Sequence, residues 1–97
     1  MTTLASKSID GANQWTDAVQ IIGWFNVGIS GTFSSTIITV QRSTDNSTWT
    51  DVDTWTAPSE DVGMDPELMW YRIGCKTGEY SDGPVTVRIG QDGAFHA

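Results

Sequence analysis

Apolar side chains recur at every second position along several stretches of this chain, which is the spacing of β-strands with one face turned to a core. Ile21, Phe25, Val27 and Ile29 share one face, while Ile22 and Trp24 fall on the other, so this strand is expected to be covered on both sides. Ile38 and Val40 alternate with Thr39 and Gln41. After the small polar run Ser43 to Ser47, extended character resumes from Trp49 to Trp55, which predicts a hairpin. In its returning strand Trp49, Asp51, Asp53 and Trp55 lie on one side and threonines with Val52 on the other. Neither side is a clean apolar stripe, so an edge position guarded by charge is expected.

Leu68 to Cys75, LMWYRIGC, is the densest apolar run and suits a central strand buried on both faces. Val85, Val87 and Ile89 alternate with Thr86 and Arg88 in a last strand. Gln14 to Val19 suits a short strand, preceded by the turn residues Asp10 to Asn13. Between these strands, residues 57–67, with Pro58, Gly63 and Pro66 among four carboxylates, are expected to form a long acidic loop, and residues 77–84 a second one. The N-terminal segment, about residues 1–9, is expected to be an arm or a short edge strand, and about 91–97 a tail without periodicity. The expected fold is all-β: a single antiparallel β-sandwich, immunoglobulin-like or jelly-roll-like, with about six to eight short strands.

Composition narrows this picture in three ways. The chain has 97 residues, room for one domain spanning 1–97 and too few for two independent cores. A net charge of −7 repels a phosphate backbone, so direct nucleic-acid binding is not expected. The single cysteine, Cys75, cannot form an internal disulfide and sits in an apolar strand, where it reads as a small buried hydrophobe. No apolar run approaches the roughly 20 residues that span a bilayer, and the first residues show no secretory h-region, so neither membrane insertion nor conventional secretion is expected.

The chemistry-bearing residues do not assemble into a catalytic signature. The only histidine, His96, lies in the tail, far in sequence from any nucleophile, so no enzyme and no catalytic residue is expected. Asp51 and Asp53, or Glu60, Asp61, Asp65 and Glu67, could approach a cation, but their spacing is not that of an EF-hand. Solvated acidity explains them, and neither a metal nor a cofactor is expected. Asn46-Ser47-Thr48 has the N-glycosylation pattern, which turn chemistry already explains. Ser43-x-Asp45-x-Ser47-Thr48-Trp49 resembles the Asp-box hairpin of sialidases, with the turn one residue short and Ser47 where glycine is expected. That resemblance implies a locked turn.

Together, GTFSSTIITVQRSTDNSTWTDVDTWTAP and MWYRIGCKTGEYSDGPVTVRIGQ resemble small virion proteins of tailed bacteriophages, over about Ile29 to Gln91. In those proteins a GTF-x-x-T-x-x-x-QRS-x-D hairpin precedes a YRIG-x-K-x-G-x-Y strand and turn. The resemblance implies a capsid decoration or cement protein that binds the major capsid protein or other virion proteins. It implies a place in the virion, assembled in the bacterial host cytoplasm, and leaves a homo-oligomer possible. A tail or neck component has the same fold expectation, and a glycan-binding accessory module using Trp15, Trp49 or Trp55 is a third reading. For a partner interface the sequence nominates Thr2, Thr3 and Leu4 in the arm and Glu60, Asp61, Val62, Met64 and Leu68 in the acidic segment, where apolar groups sit among carboxylates. For Leu68 the alternative is that it already begins the core strand.

Overall fold

The computed structural model describes residues 3–91. It is all-β: β1 (Thr3–Ile9), β2 (Gln14–Trp15), β3 (Val19–Gly31), β4 (Ile38–Ser43), β5 (Thr50–Trp55), β6 (Ser59–Cys75) and β7 (Val85–Gly90). All pairings are antiparallel, in the order β1-β7-β3-β6-β4-β5, with β2 added beside β6. The predicted antiparallel sandwich is present, and its layers come from one continuous sheet.

The folding-over happens in the two long central strands. Ile21 pairs with Met69 and Gly23 with Asp65, so Pro66, Glu67 and Leu68 stand opposite the single residue Ile22. Such an irregularity bends both strands and increases their twist. Gly23 takes φ +86° there, a backbone conformation that side chains disfavour. Before the bend, β6 pairs only with the outer half of β3; after it, residues 70–74 pair with β4. One layer is thus β1, β7, the second part of β3 and the first part of β6. The other is β2, the start of β3, β4, β5 and the end of β6.

The inward residues of both layers meet in one core. Ile9, Ile21, Phe25, Val27, Ile29, Ile38, Val40, Met69, Tyr71, Ile73, Val85, Val87 and Ile89 are all buried there. The rings of Phe25 and Tyr71, one from each layer, lie 4.7 Å apart at a 50° tilt, a favourable aromatic geometry. Cys75 is fully buried in this core, and burial pushes its thiol upward in pKa.

One expectation about loops is corrected. Residues 59–67 are not loop: they are the first half of β6, held by β3 through seven register partners from Ile29↔Ser59 to Gly23↔Asp65. Its prolines do not oppose this, since Pro58 precedes the strand and Pro66 falls in the bend, where no β3 partner needs its missing N–H. Two of the strands are accordingly not short, with 13 and 17 residues. At the N-terminus the edge-strand alternative holds for Thr3–Ile9, which pairs with β7; residues 1–2 and 92–97 lie outside the described residues.

Polar clamps fix the connections. Asp82 accepts from the backbone N–H groups of Ser34, Ser35 and Thr36 at 2.8, 3.0 and 3.1 Å, which holds its carboxyl at about 2. In the hairpin turn Asp45 Oδ1 accepts from the N–H groups of Ser47 and Thr48 and from the Ser43 hydroxyl, while Asn46 adopts φ 59°. The locked turn implied by the Asp-box resemblance is therefore present.

At the bend, Asp65 is 2% exposed and accepts two bonds from Arg42, at 2.7 and 3.1 Å, one from the Tyr71 hydroxyl at 2.8 Å and one from the Glu67 N–H at 3.1 Å. These donors hold its carboxyl at about 2, Arg42 foremost. The carboxylate ties β4 to the corner of β6.

Candidate functional site

The feature that stands apart from the satisfied scaffold is the outer face of the first layer. On β6 before the bend, residues of one parity turn inward, and Glu60, Val62 and Met64 turn outward. On β3 the outward positions are Trp24, Asn26 and Gly28, which pair with Met64, Val62 and Glu60 in turn. Trp24 and Met64 are therefore direct cross-strand neighbours, 64% and 50% exposed, beside Val62 at 76%. At the bend Ile22 and Leu68 add two more exposed apolar side chains. A cluster of this size on a regular sheet face differs from the isolated apolar residues of ordinary surfaces.

One border of this face is polar. Arg88 donates through Nη1 to Asn26 Oδ1 at 2.7 Å and through Nε to the Thr3 hydroxyl at 3.2 Å, bridging β1, β7 and β3. Thr3 pairs with Gly90, Gly90 with Asn26 and Asn26 with Val62, so all four lie in one transverse row. The row spans about 14 Å, three interstrand steps. Two segments 59 positions apart in sequence, Thr3 and Val62, thus belong to one surface.

Of the residues nominated from sequence, Thr3, Glu60, Val62 and Met64 share this face, and Leu68 stands exposed at its bent end. Leu68 is 55% exposed, so the alternative that it begins the core does not hold. Leu4 lies at the irregularity between Thr3 and Ala5 and is partly exposed. Asp61 is separated from them: it has the inward parity of Gly63 and Asp65, and its carboxylate accepts from the Trp55 indole N–H at 2.6 Å and the Ser59 hydroxyl at 3.2 Å. It closes the layers at the β5 end. Thr2 lies outside the described residues.

Sequence reasoning missed Ile22 and Trp24, which were expected to be covered and are open. Their signal was present, since they sit out of phase with the core set of β3; what the phase alone did not reveal is that no described strand packs over that side. The aspartates of the hairpin do not converge either. A bulge at Val52 separates them, Asp51 pairing with Lys76 at 2.6 Å and Gln41 at 2.8 Å while Asp53 caps the N–H of Thr54. Among the described residues, no group of three or more His, Cys, Asp and Glu is placed to hold a metal ion. Nor, among the described residues, is any helix long and apolar enough to cross a membrane.

The tryptophans considered as sugar platforms are all engaged. Trp15 and Trp49 both pack against the Arg72 guanidinium, at 4.3 and 4.4 Å, and Trp55 is tethered to Asp61. The open indole is Trp24.

No family profile, curated protein or solved structure matches the chain, so its surfaces are the direct guide to what it does.

Proposed function

We propose that this protein is a structural component of a tailed-phage virion, a decoration or cement protein that docks on the major capsid lattice through the face of Ile22, Trp24, Val62, Met64 and Leu68. The observation that carries this reading is the solvent-facing Trp24–Met64 pair with its apolar neighbours on a rigid two-strand platform. Trp and Met are enriched at protein interfaces, where a large apolar anchor ringed by polar groups supplies most of the binding energy. Arg88, Asn26, Glu60 and Thr3 provide such a polar border. The phage-like hairpin and strand motifs between Ile29 and Gln91 supply the choice of partner. No cofactor and no turnover enter this reading.

The test is to add purified protein to capsids lacking it and measure occupancy and resistance to heat. The wild-type chain is expected to bind in hundreds of copies and raise the temperature at which shells open, whereas Met64→Glu and Trp24→Glu variants stay folded and fail to bind. Unchanged binding by both variants, or images that place the protein solely in a tail or neck ring, would refute it. A dimer formed through this face in the absence of capsids would assign it to self-association instead.

A further inference from the structure

The sheet ends in two edges, and each carries a charge on its core-facing side. β1 closes one end of the strand order and β5 the other, so the outer backbone groups of both lack a strand partner among the described residues. On β1, Lys7 lies opposite the buried Val87 and shares the inward parity of Ala5 and Ile9. On β5, Asp53 lies opposite the buried Val40 and shares the inward parity of Trp55. Both charged side chains are nevertheless exposed, because nothing lies beyond the edge to cover them.

Neither charge is consumed within the molecule. Arg42 pairs with Asp65, Lys76 with Asp51, Arg72 with Gln41, and Arg88 with Asn26 and Thr3. Lys7 is thus the one cation with no hydrogen bond or ion pair among the described residues. The Asp53 carboxylate accepts only from the adjacent N–H of Thr54. Inward charges on edge strands, like the bulges at Leu4 and Val52, are devices that keep an open edge from pairing with its own kind. In-register pairing of β1 with a second β1 brings lysine to lysine, and of β5 with a second β5 aspartate to aspartate; like charges on neighbouring strands destabilise such pairs. The two edges differ in sign, so the same charges that forbid like pairing favour the unlike one.

We propose that β1 of one copy pairs with β5 of a second copy, antiparallel, with Lys7 opposite Asp53. Ser6 then stands opposite Thr54 and the small Ala5 opposite the large Trp55. The bulges limit the straight segments to Ala5–Ile9 and Asp53–Trp55, so the shared ladder is short. The contact is heterologous: each pair keeps one basic and one acidic edge free, and repetition yields a ring or an open row. It leaves Trp24 and Met64 uncovered, so docking through the broad face and joining at the edges are compatible. A short ladder holds weakly between free molecules and far more firmly between molecules already held side by side, where the second contact forms at high effective concentration.

Sedimentation velocity of the intact protein at concentrations up to about 1 mM in low salt tests the pairing. The wild-type chain is expected to show an average mass that rises with concentration and falls back when salt is added, since the paired charges are exposed. Lys7→Glu and Asp53→Lys should each weaken association at least tenfold, and the variant carrying both should restore it. Trp24→Glu should leave it unchanged. A mixture of Ser6→Cys and Thr54→Cys proteins should crosslink on oxidation into mixed dimers, with neither variant crosslinking alone and the buried Cys75 silent. Where a charge reversal lowers the melting temperature, that mixture carries the test. A wild-type chain that stays monomeric across the range, a double variant that does not recover, or association abolished by Trp24→Glu would overturn the proposal. The first outcome would show that the two charges serve only to block pairing, and the last that copies meet by the broad face instead.

Discussion

Strand β6 runs through both layers, and its two halves meet solvent in opposite ways. Before the bend its outward residues Val62 and Met64 are bare beside Trp24; after it Trp70 and Arg72 are half-buried, the latter under Trp15 and Trp49. Inward, Met69, Tyr71 and Ile73 belong to the core, and before the bend, where β6 offers Asp61, Gly63 and Asp65, Phe25, Val27 and Ile29 of β3 supply the apolar groups; the contrast in exposure lies on the outward side. It arises because β2 and the β4–β5 hairpin close over the second half, and no described segment closes over the first. A strand designed to be capped everywhere would not leave a tryptophan opposite a methionine in water. The difference separates residues that hold the fold from those available to a partner.

Substitutions should expose that division, with the largest effect where β2 crosses β6. A Cβ at Gly74 would collide with the backbone of Gln14 and Trp15, so Gly74→Val should expel β2, uncover Arg72 and cost about 3 kcal/mol or more, read by calorimetry. Removing the corner carboxylate comes next. Asp65→Ala leaves the Tyr71 hydroxyl and Arg42 without their acceptor; because Arg42 is partly solvated, a loss of about 2 kcal/mol in chemical denaturation is expected, below that of a fully buried pair. At the opposite extreme, Trp24→Glu and Met64→Glu should change stability by less than about 0.5 kcal/mol while abolishing docking. A large destabilisation by either would place that face among the structural elements and erase the contrast.

Acid should discriminate among the clamps more gently. Asp65 and Asp82 both titrate at about 2 in the folded chain against an ordinary 3.8, so their contribution is complete above about pH 4. As the pH falls below 3.8 the unfolded chain takes up protons first, and the contribution is lost progressively toward pH 2. The melting temperature should therefore drop across that interval, and Asp65→Asn should flatten the slope by about one proton. An unaltered slope would show that the corner carboxylate is not what acid removes.

The alternation of Ile21, Phe25, Val27 and Ile29, of Ile38 and Val40, and of Val85, Val87 and Ile89 was enough to read the core sides of three strands, because period-two burial is a local property. The hairpin turn was legible for the same reason, Asp45 and its partners being neighbours in sequence. The first half of β6 was not. Its prolines, Gly63 and carboxylates carry turn chemistry, and only pairing with β3, 30 or more positions away, makes it a strand. The stack on Arg72 was invisible because Trp15, Trp49 and Arg72 come from three separate segments, and no spacing announces that two indoles will receive one guanidinium. Of the residues nominated for an interface, Val62, Met64 and Leu68 stand exposed, as apolar groups among carboxylates suggested, whereas Asp61 was drawn in by its neighbours and belongs to Trp55.

The pairing of β1 with β7 sets how the molecule bears mechanical load. Thr3 lies opposite Gly90 and Ile9 opposite Val85, so a pull that separates the two ends of the described chain acts across the ladder at its first rung. Antiparallel bonds run perpendicular to the strands, and in this orientation they break one after another instead of sharing the force. Tension delivered through the ends would peel β1 away and expose Ile9 and the Val85–Ile89 edge of the core. Tension delivered through Trp24 and Met64 enters the two longest strands near their bend, where it is distributed over the whole β3–β6 ladder. A load that enters by the broad face is therefore borne by more of the sheet than one that enters by the ends.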